Sequence, residues 1–160
     1  MTIKVGDTIP SMKLMMATPD GPKEISTDEV FKGKKVVLFA VPGAFTPTCS
    51  QKHLPGFVEN ADAIKAKGVD TIACIAVNDA FVMSAWGKDQ GCDSKVLMLA
   101  DGSGAFTKAM GLELDLMGRG LGMRSQRYAL VADNGKVTHL GIEQAGGFEV
   151  SKAESILSHL

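Results

Sequence analysis

Apolar residues in this chain gather in short runs separated by polar and glycine-rich stretches, and the spacing within each run predicts its element. Lys35 to Val41 (KVVLFAV), Val69 to Val77 (VDTIACIAV), Val96 to Ala100 (VLMLA), Tyr128 to Ala132 (YALVA) and Lys136 to Leu140 (KVTHL) read as strands. The first two are apolar on both faces, as strands at the centre of a parallel sheet are. Asp133-Asn134-Gly135 lies between the last two, and Asn-Gly tolerates the positive φ of a tight hairpin, so that pair is expected to be antiparallel. Helical spacing fills the gaps. Phe57, Ala61 and Ile64 fall at i, i+4, i+7, and Val150, Ala153 and Leu157 at i, i+3, i+7. Pro55-Gly56 inside the first segment predicts a kink, because proline has no N–H and its ring collides with the preceding turn. Ser26-Thr27-Asp28-Glu29 and Asn78-Asp79 offer side-chain oxygens suited to helix starts. The predicted fold is α/β: a short N-terminal β-hairpin extension, then β, α, β, α, β, α, β, β, α, forming a central mixed sheet flanked by helices on both faces.

Composition narrows the class. A chain of 160 residues is the length of one ordinary domain, so residues 1–160 are expected to form a single unit. Hydrophobic residues make up 45 % and charged ones 22 %, the balance of a compact globular protein. Seventeen basic against 18 acidic residues leave a formal charge of -1, which gives no broad field to attract nucleic acid or an anionic membrane. No apolar run approaches spanning length, and the opening residues carry no secretory h-region, so a cytoplasmic location is expected. Cys49, Cys74 and Cys92 are odd in number, far apart and without a CxxC pair, which fits thiols in a reducing compartment better than a disulfide framework or a zinc ribbon.

The candidate chemistry centres on Val41-Pro42-Gly43-Ala44-Phe45-Thr46-Pro47-Thr48-Cys49-Ser50, a loop that leaves a buried strand and delivers a cysteine to a helix start. There the unpaired N–H groups and the positive end of the helix dipole favour thiolate, the nucleophilic form. Cys74, inside an apolar run, has the setting of a structural cysteine. Pro42, Thr46 and Cys49 form the PxxxTxxC pattern, and the longer PGAFTPTCS resembles the type II, or peroxiredoxin-5-like, branch of the peroxiredoxins. The likeness continues through His53-Leu54-Pro55-Gly56-Phe57, Val77-Asn78-Asp79, Phe81-Val82-Met83, Trp86 and Arg124-Ser125-Gln126-Arg127-Tyr128 and covers nearly the whole chain.

The resemblance implies a thioredoxin-like fold and a thiol-dependent peroxidase acting on hydrogen peroxide and alkyl hydroperoxides, with no metal or other cofactor. It implies that Cys49 is the peroxidatic cysteine, that the Thr46 hydroxyl accepts from the thiol or donates to the peroxide, that Pro42 shields the site, and that Arg127 stabilises thiolate and developing oxygen charge. Arg127 is expected in a strand opening at Ser125; Arg124 reads equally as a solvated or interface residue. The oxidised sulfenic acid is then re-reduced by glutathione with glutaredoxin, or by thioredoxin. Glu143 to Phe148 holds no C-terminal resolving cysteine, whereas Cys74 matches the second cysteine of many type II members and is the candidate resolving residue. Cys92 matches no role. Phe45 and Phe81 lie in segments that form a dimer contact in type II relatives, so a homodimer is expected.

Other readings compete. His53, four residues after Cys49, could belong to a Cys-His hydrolase or a metal pair, but no orienting partner or further ligands are evident in the sequence. His139 and His159 have no identifying spacing. A thiol-disulfide oxidoreductase would need CxxC, and Thr46 stands where its first cysteine would be. A redox-sensing or chaperone-type thiol protein without efficient turnover would use the same Cys49 and is the alternative reading.

Overall fold

The computed structural model describes residues 2–92 and 95–160. Its frame is a seven-stranded sheet built from β1 (Lys13–Thr18), β2 (Gly21–Ser26), β3 (Lys35–Ala40), β4 (Thr71–Ala76), β5 (Leu97–Ala100), β8 (Tyr128–Asp133) and β9 (Lys136–Ile142). The order is β2-β1-β5-β4-β3-β8-β9, with β3, β4 and β5 parallel and the other pairings antiparallel. This is the mixed sheet that the apolar runs predict, in the thioredoxin-like arrangement that the resemblance implies.

Because β3 and β4 are apolar and buried at every position after their first residues, Lys35 and Thr71, each is covered on both sides, and successive side chains feed two separate core layers. Val37, Phe39, Val41, Ile72 and Cys74 face one layer, filled by Leu54, Phe57, Ile64, Met83, Trp86 and Ile156. Those residues come from α2 (Leu54–Glu59), α3 (Ala61–Ala66), α4 (Ala80–Asp89) and α6 (Ala153–Leu157). Val36, Leu38, Ala73 and Ile75 face the other, with Val30 and Phe31 of α1 (Thr27–Phe31) and Phe106 and Met110 of α5 (Ala105–Met110). The local signals hold. Ser26 accepts from the Glu29 N–H at 3.1 Å, Asp79 accepts from the Val82 N–H at 2.8 Å, and Asn134 and Gly135 turn the β8–β9 hairpin with φ of 51° and 80°.

The N-terminal hairpin of β1 and β2 is present as expected, and β1 pairs with β5 through Met15↔Ala100 and Met16↔Leu99, so it extends the main sheet. Three features differ from the sequence reading. A second, two-stranded sheet, β6 (Glu113–Leu116) with β7 (Gly122–Ser125), escapes notice in sequence because each strand is only four residues long and half polar, and Gly122-Met123-Arg124-Ser125 of β7 has no strand-like run. The distortion around Pro55 comes earlier than expected, as a π-helical turn over Cys49–His53 in which the Leu54 N–H reaches the Cys49 carbonyl. The α-helix proper restarts at Leu54, with Pro55 in its first turn, where the missing N–H costs no intrahelical bond. Finally, α6 spans only Ala153–Leu157; Val150 precedes it and is exposed, and Ala153 and Ile156 are its buried residues.

Candidate active site

After β3 ends, the chain must turn from the sheet into the helical layer, and the 41–48 loop does so under tight local restraint. The Ala44 N–H donates to Asn78 Oδ1 at 3.0 Å, and the Thr46 hydroxyl donates to the Gly43 carbonyl at 2.7 Å. Phe45 adopts φ of 65°, a left-handed conformation that a bulky residue keeps only where its surroundings enforce it. Gly43 leaves room for the Arg124 guanidinium: a Cβ there would lie 2.8 Å from Nη1 and would displace the end of that side chain. Arg124 itself donates from Nε to the Leu121 carbonyl at 2.8 Å and from Nη1 to the Pro42 carbonyl at 3.3 Å, so it straps the loop to the small sheet.

The loop delivers Cys49 to the start of the π-helical turn, with its side chain in the same layer as Val41 and Leu54. It is fully buried, at 0 % exposure. Arg127 lies in the two-residue link between β7 and β8, not inside a strand, and this link aims its side chain back at the sulfur. Nη2 donates to Cys49 Sγ at 3.1 Å. Nη1 meets His53 Nδ1 at 2.8 Å, and the guanidinium carbon lies 6.0 Å from the centroid of Phe148. Among the described residues no carboxylate forms an ion pair with Arg127. A thiolate at Cys49 would supply the missing counter-charge.

His53 was set aside in sequence, yet the fold puts it against Arg127. Its Nε2 is 2.9 Å from the Ser151 carbonyl, and burial, reinforced by the Arg127 charge, pushes its basicity down to about 3. The ring is therefore neutral at physiological pH. Its position four residues after Cys49 was the available signal; nothing in the sequence pointed to Ser151 or to Glu143, which holds it. Thr46 and Pro42 are half-buried members of the loop. The Thr46 hydroxyl proton is directed to Gly43, so the oxygen is left as an acceptor, and donation to a peroxide would require the hydroxyl to rotate.

Residues 4–157 match the family described as Redoxin. The chain is 52 % identical to Peroxiredoxin-2E, chloroplastic, of Arabidopsis thaliana over 163 residues, covering 99 % of this chain and 70 % of that protein. It superimposes on the crystal structure of reduced Prx3 from Vibrio vulnificus in complex with hydrogen peroxide with a TM-score of 0.94, at 56 % identity and 99 % coverage of both chains. It also matches peroxiredoxin 5 from Alvinella pompejana, with a TM-score of 0.87, 40 % identity and coverage of 98 % and 96 %. The chain belongs to the peroxiredoxin family. Its likeness to peroxiredoxin 5 agrees with the type II resemblance, and as a peroxiredoxin it is a thiol-dependent peroxidase, an oxidoreductase.

The remaining thiols of this peroxiredoxin lie in the same core layer as Cys49. Cys74 is fully buried between Phe39 of β3 and Met98 of β5, and burial pushes its thiol well above the ordinary range. Cys92 is buried as well. Phe45 and Phe81 are 52 % and 72 % exposed, and both lie beside α4: the Phe45 ring is 6.4 Å from that of Trp86, and Phe81 is in the first turn. Trp86 is wholly buried and donates from Nε1 to Ser50 Oγ at 2.9 Å, which ties α4 to the π-helical turn. His139 and His159 stack on each other with centroids 3.9 Å apart, remote in sequence from the loop that carries Cys49. No helix among the described residues is long and apolar enough to cross a membrane.

Proposed function

We propose that Cys49 is the peroxidatic nucleophile and Arg127 its electrostatic partner, within a single catalytic domain formed by residues 1–160. The Arg127 Nη2 contact to Cys49 Sγ at 3.1 Å carries this reading. A guanidinium can only donate and is always charged, so it favours the thiolate and stabilises negative charge growing on an oxygen bound beside it. The thiolate attacks the terminal oxygen of a peroxide ROOH; an S–O bond forms, the O–O bond breaks, and the departing RO⁻ takes up a proton to leave as ROH. Sulfur is oxidised by two electrons to sulfenic acid, and the peroxide is reduced by two. Thr46 offers its oxygen lone pairs to the bound peroxide, and Pro42 limits water at the loop. The hydrogen peroxide complex of the Vibrio vulnificus relative supports a small peroxide as substrate.

The reductant is an external thiol, glutathione with glutaredoxin or else thioredoxin, with Cys74 as the alternative internal partner. Complete burial at the centre of the sheet argues against Cys74 meeting Cys49 without local opening. The protein acts in the cytoplasm as a homodimer whose contact includes Phe45 and Phe81. The test is peroxide consumption by wild type, Cys49→Ser and Cys74→Ser, each supplied in turn with glutathione/glutaredoxin and thioredoxin. Loss of activity in Cys49→Ser alone is expected; full activity in that variant overturns the assignment. Rapid formation of a Cys49–Cys74 disulfide with one equivalent of peroxide, together with loss of turnover in Cys74→Ser, overturns the external-thiol route.

A further inference from the structure

His53 takes no part in the oxygen transfer, yet it is fully buried and both ring nitrogens are engaged. We propose that His53 is a positioning residue for Arg127, its neutral ring accepting at Nδ1 from Nη1 and so directing Nη2 at Cys49 Sγ. The inference rests on the reading of Cys49 and Arg127 given above.

Two partners independently demand the same tautomer. The Ser151 carbonyl can only accept, so Nε2 carries the ring proton; the Arg127 guanidinium can only donate, so Nδ1 presents its lone pair. Burial and the Arg127 charge keep a second proton off the ring. The ring is also boxed by Phe39, Phe57 and Phe148, at centroid distances of 4.9, 5.6 and 5.2 Å. Ser151 is held in turn: the Glu143 carboxylate accepts from its N–H at 2.8 Å and its hydroxyl at 2.6 Å, and from the Glu149 N–H at 2.7 Å. The Glu143 N–H donates to the Arg127 carbonyl at 2.9 Å. The contacts form a closed circuit, from the Arg127 backbone through Glu143, Ser151 and His53 to the Arg127 guanidinium. A guanidinium on a long flexible stem gains from such a second anchor, because one fixed nitrogen leaves the other little freedom to miss its target.

A plain core histidine that merely ties Ser151 to the helical layer would need only Nε2. Two variants separate the roles. His53→Asn keeps an acceptor near the position of Nδ1 and gives up the contact to Ser151; His53→Gln keeps a donor near Nε2 and gives up the acceptor facing Arg127. Hydrogen peroxide reactivity is measured by competition with a reporter peroxidase, and Cys49 alkylation by iodoacetamide is followed across pH by peptide mass. His53→Gln is expected to slow peroxide reaction roughly 10- to 100-fold, the scale of a misplaced catalytic group, and to move the alkylation midpoint to higher pH. His53→Asn should slow it far less. In an Arg127→Gln background, His53→Gln should add little.

A slow Asn variant beside a wild-type-like Gln variant overturns the proposal, as does a double variant in which the two effects multiply. If either substitution prevents folding, nitrogen NMR of wild-type His53 decides: a proton on Nδ1, or a doubly protonated ring above pH 5, overturns it. An unaffected Cys49→Ser or Arg127→Gln enzyme would instead sink the underlying assignment.

Discussion

Arg127 shows how one residue joins electrostatics to geometry. Its charge faces a sulfur, a neutral ring and an aromatic face, and among the described residues it forms no carboxylate pair. Arg127→Gln should therefore slow peroxide attack by about 100-fold or more, on the scale of a lost oxyanion donor. Arg127→Lys should restore only part of the rate, because a point charge cannot hold Cys49 and His53 at once. Stopped-flow rates for the two variants check this; equal, undiminished rates would leave Arg127 a structural residue. The roles proposed for Cys49 and Arg127 come from the sequence, one from its loop and helix start, both from the family motifs, and the fold brings the two side chains to 3.1 Å. The partners of His53 were not, since Arg127 and Ser151 lie 74 and 98 positions away and only the folded chain brings them together.

Among the elements, those announced by local chemistry were the readable ones. Asp79 caps α4 with its own side chain, and Asn134-Gly135 turns a hairpin through backbone angles that few other pairs adopt. Strands β6 and β7 gave no such signal, because each is short, half polar and stabilised by its partner. The segment from Glu143 into α6 is similar, ordered by a carboxylate that gathers the N–H groups of Glu149 and Ser151. Partial burial would raise the Glu143 pKa, but the hydrogen bonds from Ser151 and Glu149 outweigh it and hold the carboxyl below its ordinary value of 4.5. The unfolded chain then binds the proton first as pH falls, so the stabilisation is present above that value and is lost as pH drops through the lower folded value. Thermal melts of wild type and Glu143→Gln should accordingly differ at neutral pH and converge in acid; a constant gap would show that the charge is irrelevant to this segment.

At the scale of the whole molecule, Phe45 and Phe81 present two aromatic rings to solvent beside α4, close to the loop that carries Cys49. Covering such a ring is worth roughly 2 kcal/mol, and a second copy of the chain would cover both. Sedimentation at micromolar concentration should give a dimer, and Phe81→Glu should shift it toward monomer; a wild-type monomer would refute the contact. The complete burial of Cys49 also sets an order of arrival. On the proposed route a peroxide is small enough to slip inward as side chains breathe, whereas a reducing peptide or protein would wait for the stretch from Cys49 into α2 to open. During that wait a second peroxide competes for the same sulfur, and when it wins it carries the sulfenic acid on to sulfinic acid, which ordinary thiols do not reverse. Oxidant supply thus becomes a timer on each molecule. Under slow flux the protein is recycled, and under fast flux every turnover risks retirement, so intact masses taken after graded peroxide pulses should show two added oxygens accumulating with the number of cycles completed.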